Sequence, residues 1–218
     1  MNIFSGLLNL LFPPRCVFCR RILGASEKSI CAVCEKSLPR TKNGGQQSGD
    51  FFSVCVSPLY YEDAVRESIL WFKFHDATQY AGTYGALMAD CVREYLAGRY
   101  DLITWVPLSR VRLKSRGYDQ AMLLAMATAL KLDDVAVELL KKSVDVPAQS
   151  GLGGAETRRA NISGVYMAPD EALVRGKRIL LIDDIITTGS TISECAKTLR
   201  MSGAEDVVCA TLARSANR

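Results

Sequence analysis

The sequence predicts an α/β protein in which a mainly parallel sheet is flanked by helices and preceded by a small cysteine-rich module. Beyond residue 51, short β-like runs alternate with helical patterns, as they do in βαβ units. Two CxxC pairs precede a polar stretch at 41–50, whose composition is that of a flexible linker. With 218 residues, of which 49% are apolar and 23% charged, the chain can bury one principal core, and global disorder is excluded.

Hydrophobic spacing defines the elements that follow the linker. Apolar residues in the range 80–96 recur at helical intervals, and a strand-like run at 102–106 comes before a helix predicted over about residues 119–131. A second β-like run lies near residues 135–140. The stretch 143–165 is rich in turn formers and polar groups, which is typical of a long functional loop.

The last βαβ unit has the clearest pattern. A β run at 178–182 leads into a polar turn, and a helix is predicted from about residue 190 to residue 201. Gly203 is the predicted stop, because glycine tolerates the left-handed conformation that ends many helices. A final strand is predicted at 206–212.

The N-terminal segment MNIFSGLLNLLFPP fits a short amphipathic helix, a type that more often packs on its own protein than on a membrane. No run approaches the roughly 18 apolar residues of a membrane span, and the segment lacks the basic start of a signal peptide. We therefore expect a cytoplasmic protein. Its net charge of +4 arises within residues 1–50. Two domains are predicted: residues 1–45, with the N-terminal helix and the cysteines, and residues 51–218, with the sheet.

The two cysteine pairs, Cys16 with Cys19 and Cys31 with Cys34, are spaced like the two knuckles of a zinc site. Each knuckle can offer two sulfur atoms to one tetrahedral ion, and a closed four-cysteine shell stabilises a fold without catalysing a reaction. A redox pair is the alternative, but redox CxxC motifs normally lie in a thioredoxin-like βαβ unit. The remaining four cysteines follow apolar patterns and are expected in the core.

The run ILLIDDIITTGST at 179–191 predicts an anion site. Four apolar residues form a buried strand, which ends in Asp183 and Asp184 at the carboxyl edge of the sheet. The polar residues that follow open onto a helix N-terminus, whose free amides attract anions. Two acids beside a phosphate cradle need another ligand, such as sugar hydroxyls or hydrated Mg²⁺. A ribose phosphate offers a phosphate to the amides and hydroxyls to the acids. The alternative is an ordinary strand end followed by a capped helix.

A second basic element follows the strand at 102–106. Four cations fall within residues 110–116 with no acid among them, which suits one polyanion, although a solvated basic helix start would look the same. Its position after a core strand favours the site, because the carboxyl ends of parallel strands meet at one edge. We assign the turn at 107–110, which includes Ser109 and Arg110, to pyrophosphate, together with Arg116.

The run at 179–191 closely resembles the 5-phosphoribosyl-1-pyrophosphate (PRPP) binding motif of type I phosphoribosyltransferases. The resemblance implies a type I phosphoribosyltransferase-like sheet in which Asp183 and Asp184 face the ribose hydroxyls. It also implies that the 5′-phosphate is held by Thr187, Thr188, Gly189, Ser190 and Thr191. A P-loop is excluded because the chain contains no Gly-Lys-Ser/Thr sequence.

The order of the motifs narrows the resemblance. The CxxC knuckles, a VPL segment running into RGYDQ, Gln149 ahead of Arg158-Arg159-x-Asn161, and the PRPP motif resemble ComFC-type members of the ComF family, which are competence-associated phosphoribosyltransferase-like proteins. That family usually has Asn where this chain has Asp119, which puts a phosphate role for this position in doubt. Lys73 lies in a segment similar to the family's Lys-aromatic stretch and either reaches the site or packs its stem on apolar surface.

The resemblance implies a phosphoribosyltransferase that binds PRPP with Mg²⁺, releases pyrophosphate and transfers ribose 5-phosphate to a nitrogen acceptor. Positioning and stabilisation of the leaving group would supply most of the catalysis. Arg158 and Arg159 either close over the phosphates or form a solvated pair. The alternative is a non-catalytic, PRPP-responsive or single-stranded-DNA-binding component of the DNA-uptake machinery, with competence proteins as partners. The acceptor and the oligomeric state stay open.

Overall fold

A parallel sheet runs through the centre of the computed structural model, which describes residues 13–142 and 165–216. In spatial order its strands are β1 (Val54–Val56), β7 (Asp206–Arg214), β6 (Arg178–Ile186) and β3 (Leu102–Trp105). β2 (Leu59–Tyr60) follows β1 and also pairs with β7. All of these pairs are parallel, so the predicted parallel sheet is confirmed.

Helices flank this sheet. They are α1 (Ala32–Ser37), α2 (Asp63–Phe74), α3 (Ala81–Leu96), α4 (Arg110–Arg116), α5 (Gln120–Lys131), α6 (Glu171–Val174) and α7 (Ser190–Met201). Single 3₁₀ turns lie at Asn43–Gly45 and Thr78–Tyr80, and β4 (Lys141–Lys142) pairs with β5 (Tyr166–Met167) in a separate antiparallel ribbon. The bounds of α3, α5 and α7 agree with the sequence prediction. The predicted run at 135–140 contributes only an isolated bridge between Ala136 and Ile103.

Alternate residues of the central strands enter two separate cores, as expected for a strand buried on both faces. Leu180 and Ile182 pack in the core that also contains residues of α2, α3 and α5, whereas Ile179 and Leu181 pack in the core beneath α7. Each of these four side chains is fully buried. The two helical layers fix the strand ends from both sides, so that the residues following β3 and β6 meet at one edge.

The connection at residues 41–50 is ordered, which corrects the prediction of a flexible linker. Gly44 and Gly45 are buried with positive φ, and a Cβ on Gly44 would lie 2.6 Å from the Tyr95 ring. The Arg214 guanidinium donates to the Gly45 carbonyl at 3.0 Å, and the Gln47 N–H donates to the Cys55 carbonyl at 3.1 Å. Composition alone gave the wrong prediction, because a buried, closely packed glycine and a solvent-exposed glycine look the same in the sequence. The division into 1–45 and 51–218 stays a prediction.

The predicted N-terminal helix, and the predicted loop apart from Val165, lie outside the described residues. The same holds for Arg158 and Arg159. Within the described ranges, no helix combines the length and the apolar character required to cross a bilayer.

Candidate functional site

A cleft of about 400 Å³ lies at the carboxyl edge of the sheet, where β3 and β6 end. We call it the phosphoribosyl cleft, after the resemblance of its β6 residues to the PRPP motif. From β6 and the turn after it come Asp183, Asp184, Thr187 and Thr191, and the segment after β3 contributes residues 106–108. The sheet therefore brings together the two motifs that the sequence predicted at one edge.

The two acids of β6 differ in their surroundings. Asp184 Oδ2 lies 2.8 Å from Lys73 Nζ, and both side chains are largely buried. The Asp184 N–H donates to Asp183 Oδ1 at 2.8 Å. The pKa of Asp183 is raised well above its ordinary value, chiefly because burial disfavours its charged form and also because Asp184 lies beside it. Lys73 thus reaches the cleft, which agrees with one of the two interpretations drawn from the sequence.

The turn between β6 and α7 forms a small cavity of about 40 Å³. The residues predicted to hold a phosphate all line it: Thr187, Thr188, Gly189, Ser190 and Thr191. Gly189 has φ +75°, a conformation that favours glycine, and it precedes the first turn of α7. The first amides of a helix have no partner within that helix, so they can donate to an anion in this cavity.

Four cations also line the phosphoribosyl cleft: Lys73, Arg112, Arg116 and Lys142. The Arg116 guanidinium donates to Gln120 Oε1 at 2.7 Å and lies 4.8 Å from the centre of the Phe74 ring. Burial lowers the pKa of Arg116 from its ordinary value, although Asp184 acts in the opposite direction. Arg116 is therefore held in place by contacts with α2 and α5 while it faces the cleft.

Ser109 and Arg110 are placed differently from the cleft-lining residues. The Ser109 hydroxyl accepts the Arg112 N–H at 3.3 Å and caps α4, and Arg110 is exposed at the start of that helix. Neither side chain is among those lining the cleft. Their pyrophosphate assignment stays a prediction, while Arg112, which belongs to the same basic run, lines the cleft.

The cleft residues that were not singled out from the sequence include Arg112, Lys142 and Tyr166. Arg112 was visible as one of the four cations in the basic run. Lys142 and Tyr166 lie on the β4–β5 ribbon, where the Lys142 ammonium lies 5.4 Å from the centre of the Tyr166 ring. No local motif marks them, because only the folded ribbon brings them to the sheet edge.

Asp119 connects the segment after β3 with the start of α5 through hydrogen bonds. Its Oδ2 accepts the Leu108 N–H at 2.9 Å, and its Oδ1 accepts the Met122 N–H at 3.1 Å, which caps α5. Burial is the main cause of its raised pKa, and the nearby Asp184 adds to it. Asp119 therefore fixes the segment after β3 through a backbone amide.

The four N-terminal cysteines form a compact cluster. The sulfur atoms of Cys16, Cys19, Cys31 and Cys34 all lie within 4.8 Å of one another, and three of these residues are buried. The Cys31 N–H points to the Cys16 sulfur at 3.3 Å, and the Cys34 N–H points to the Cys31 sulfur at 3.3 Å. Four sulfur ligands with amide donors suit Zn²⁺ and leave no open position, so this is a structural zinc site.

The zinc module packs directly on the helices of the sheet domain. Ser68 on α2 donates to the Val17 carbonyl, and the Phe18 and Tyr84 rings lie 6.1 Å apart. Arg20 lies 4.1 Å from the centre of the Trp71 ring. The buried cysteines belong to the same apolar cluster as Ile69 and Tyr84.

Comparison with known proteins agrees with both parts of this structure. Residues 118–218 match the phosphoribosyl transferase domain, and residues 7–56 match the double zinc ribbon domain. Competence protein F of Haemophilus influenzae is 29% identical over 92% of this chain and 97% of its own length. Competence protein ComFC of Streptococcus pneumoniae is 28% identical over 97% of this chain and 93% of its own length. The resemblance to the ComF family that the sequence motifs indicated is confirmed over most of the chain.

Another relative of this protein has a name that refers to DNA. DNA utilization protein YhgH of Escherichia coli K12 is 26% identical over 93% of this chain and its own entire length. Among solved structures, an allosteric regulatory enzyme of purine biosynthesis is 23% identical with a TM-score of 0.42. The match covers 61% of this chain and 25% of that larger chain. The two domain matches, at residues 7–56 and 118–218, cover the zinc module and the second half of the chain.

Proposed function

We propose that the protein binds PRPP in the phosphoribosyl cleft and transfers its ribose 5-phosphate to a nitrogen acceptor, with release of pyrophosphate. One observation carries the proposal: the Asp183–Asp184 pair, the small cavity at 187–191 and a wall of cations adjoin one cleft. In this arrangement the small cavity takes the 5′-phosphate, the carboxylates take the ribose hydroxyls, and the cations take the pyrophosphate.

The balance of charges in the cleft fits a diphosphate ester bound with a divalent cation. Lys73, Arg112, Arg116 and Lys142 supply four positive charges, and Asp119, Asp183 and Asp184 supply carboxylates. Carboxylate oxygens are suitable Mg²⁺ ligands, and we assign this role to Asp183 and Asp184. When bound, Mg²⁺ would neutralise part of the diphosphate charge.

The chain's own groups would act mainly by positioning. The bond from C1 of the ribose to the pyrophosphate oxygen breaks, both electrons leave with pyrophosphate, and the acceptor nitrogen forms the new bond to C1 and loses its proton. Arg112 and Arg116 would stabilise the charge that develops on the leaving group. The amides at 187–191 would anchor the 5′-phosphate, so that C1 stays aligned with the acceptor.

The relatives' names favour a second candidate function. Competence protein F and DNA utilization protein YhgH are named for DNA-related processes, and the net charge of +4 arises in the first 50 residues. On this account the protein is a cytoplasmic, PRPP-responsive or single-stranded-DNA-binding component of DNA uptake, with competence proteins as partners. The phosphoribosyl cleft would then bind its ligand without efficient turnover.

Pyrophosphate release distinguishes the two candidates. The zinc-loaded protein is incubated with PRPP, Mg²⁺ and a panel of amines and nucleobases, and pyrophosphate is measured. Acceptor-dependent release that Asp184→Asn abolishes and Asp90→Asn preserves supports transfer, because Asp90 is an exposed acid on α3. PRPP binding without release from any acceptor would favour the second candidate.

A further inference from the structure

A second, larger cleft of about 850 Å³ lies between the zinc knuckles and the adjoining ends of α2 and α3. We call it the zinc-side cleft. It shares no lining residue with the phosphoribosyl cleft. One wall carries residues of the knuckles, including Arg20 and Lys28, and the other carries Trp71, His75 and Tyr80. The proposed transfer reaction does not use this cleft.

The zinc-side cleft carries a cluster of cationic side chains. Its lining contains Arg15, Arg20, Arg21 and Lys28 and no aspartate or glutamate. Arg21 forms an ion pair with Glu27, a residue outside the lining, whereas Arg15, Arg20 and Lys28 form no ion pair in the described structure. Cys19 also lines the cleft, and the zinc-bound thiolates offset part of this positive charge. Clustered cations in a concave site attract phosphate groups, and concavity focuses their field.

Planar groups lie beside these cations. The His75 ring stacks on the Trp71 ring with a centroid distance of 4.1 Å and an interplanar angle of 19°. The Arg20 guanidinium lies 4.1 Å from the centre of the Trp71 ring, and His75 is exposed. A heterocyclic base can extend such a stack, because every base has a flat face.

The combination indicates the ligand class. A volume of about 850 Å³ lies within the range of sites that enclose a small organic ligand. Inorganic phosphate would use the cations but not the rings, and an apolar ligand would use the rings but not the cations. We propose that the zinc-side cleft binds a nucleoside phosphate, with its phosphates at Arg15 and Lys28 and its base against the His75–Trp71 stack. A free nucleotide and the terminal nucleotide of a single strand share this chemistry.

A pair of lysine variants tests the proposal on the full-length, zinc-loaded protein. Lys28 and Lys36 are both exposed lysines of the zinc module, but only Lys28 lines the cleft. ATP and a 5′-phosphorylated single-stranded hexanucleotide are titrated by calorimetry. We expect Lys28→Glu to weaken binding about tenfold or more and Lys36→Glu to change it less than about twofold.

His75→Ala tests the contribution of the base. We expect it to remove the advantage of AMP over inorganic phosphate, while the thermal unfolding of this exposed-site variant stays unchanged. Stronger binding of the hexanucleotide than of ATP identifies a strand as the source of the ligand, and the opposite order identifies a free nucleotide.

Three results would overturn the proposal. The first is that neither probe binds at millimolar concentration. The second is that both lysine variants bind equally. The third is that Asp184→Asn abolishes ATP binding while Lys28→Glu leaves it intact, which would place the nucleotide in the phosphoribosyl cleft. Failure of PRPP to bind would not affect this test, because the two clefts share no lining residue.

Discussion

Lys73 Nζ lies 2.8 Å from Asp184 Oδ2, so the end of α2 supplies a positive charge directly to the acidic pair of β6. The two side chains are only 19% and 13% exposed, respectively. Water therefore screens this pair less than it screens a surface ion pair. Two residues next to Lys73 make further contacts. The Tyr118 hydroxyl donates to the Phe72 carbonyl, and the Arg116 guanidinium lies over the Phe74 ring. The last turn of α2 is thus an integral wall of the phosphoribosyl cleft.

The first prediction concerns Lys73→Met, which keeps an apolar stem and removes the charge. PRPP affinity should fall about tenfold, and the free energy of unfolding should fall by about 1 to 2 kcal/mol because Asp184 loses its partner. Calorimetric titration and urea unfolding measure the two effects. Lys177→Met, at an exposed lysine, is the matched control and should change neither value. Unchanged binding in Lys73→Met would exclude Lys73 from the binding site.

The second prediction concerns the pH dependence that Asp183 creates. Since its pKa is raised in the folded protein, the native state holds a proton at pH values where the unfolded chain has lost it. The free energy of unfolding should therefore fall as the pH rises from the ordinary value near 4 to the raised value. Asp183→Asn should flatten this slope and stabilise the ligand-free protein at pH 8, because the amide carries no charge that burial disfavours.

Urea unfolding between pH 5 and pH 8 measures this effect. Asp90→Asn is the control, because Asp90 is an exposed acid on α3 and should leave the slope unchanged. The same Asp183→Asn variant should lose PRPP binding, so the site trades stability for function. Equal slopes in wild type and Asp183→Asn would contradict the assigned environment of Asp183.

The third prediction uses Gly189→Ala. A methyl group has room there, since the nearest atom to an added Cβ is Ile186 Cδ1 at 3.6 Å, but φ +75° disfavours alanine by about 1 to 2 kcal/mol. Relief of that strain would turn the amides of the small cavity, so PRPP binding should weaken together with stability. Gly82→Ala is the matched control: it lies on α3 with nothing within 4 Å, and it should raise stability slightly or leave it unchanged. Full PRPP affinity in Gly189→Ala would remove this turn from the phosphate site.

The fourth prediction concerns removal of zinc. Because the cysteines share one apolar cluster with Ile69 and Tyr84, chelation should lower the melting temperature of the whole protein in a single transition. Differential scanning calorimetry with and without chelator measures it, and re-added Zn²⁺ should restore the original value. An unchanged transition of the sheet, accompanied by loss of residues 1–45 alone, would instead support two independent domains.

Much of the architecture was predictable because its signals are local. The bounds of α7 follow from its apolar spacing, and the strand before it was recognised from four apolar residues. However, β6 continues to Ile186, beyond the predicted end at residue 182, because pairing with β7 extends past the apolar run. α2 was missed, since its aromatic and β-branched residues do not favour a helix in isolation. Tertiary packing on α3 and the zinc module stabilises it.

The candidate site shows the same limit. Asp183, Asp184 and the turn at 187–191 form one contiguous motif, so the sequence predicted them together. Lys142 and Tyr166 come from a two-stranded ribbon whose strands lie far apart in the sequence, and no local pattern marks them. Ser109 lies in the turn after β3, where its hydroxyl caps α4, and its assignment to pyrophosphate stays a prediction.

The most direct test of the central proposal is the melting temperature of the zinc-loaded protein with PRPP, ribose 5-phosphate or pyrophosphate, each with and without Mg²⁺. PRPP at 100 times its Kd should stabilise the fold by about 2.7 kcal/mol, which corresponds to a rise of about 5 to 11 °C for a chain of this size. We expect the rise to require Mg²⁺, to be largest for PRPP and to disappear in Asp183→Asn. No shift with millimolar PRPP and Mg²⁺ would contradict the proposed function.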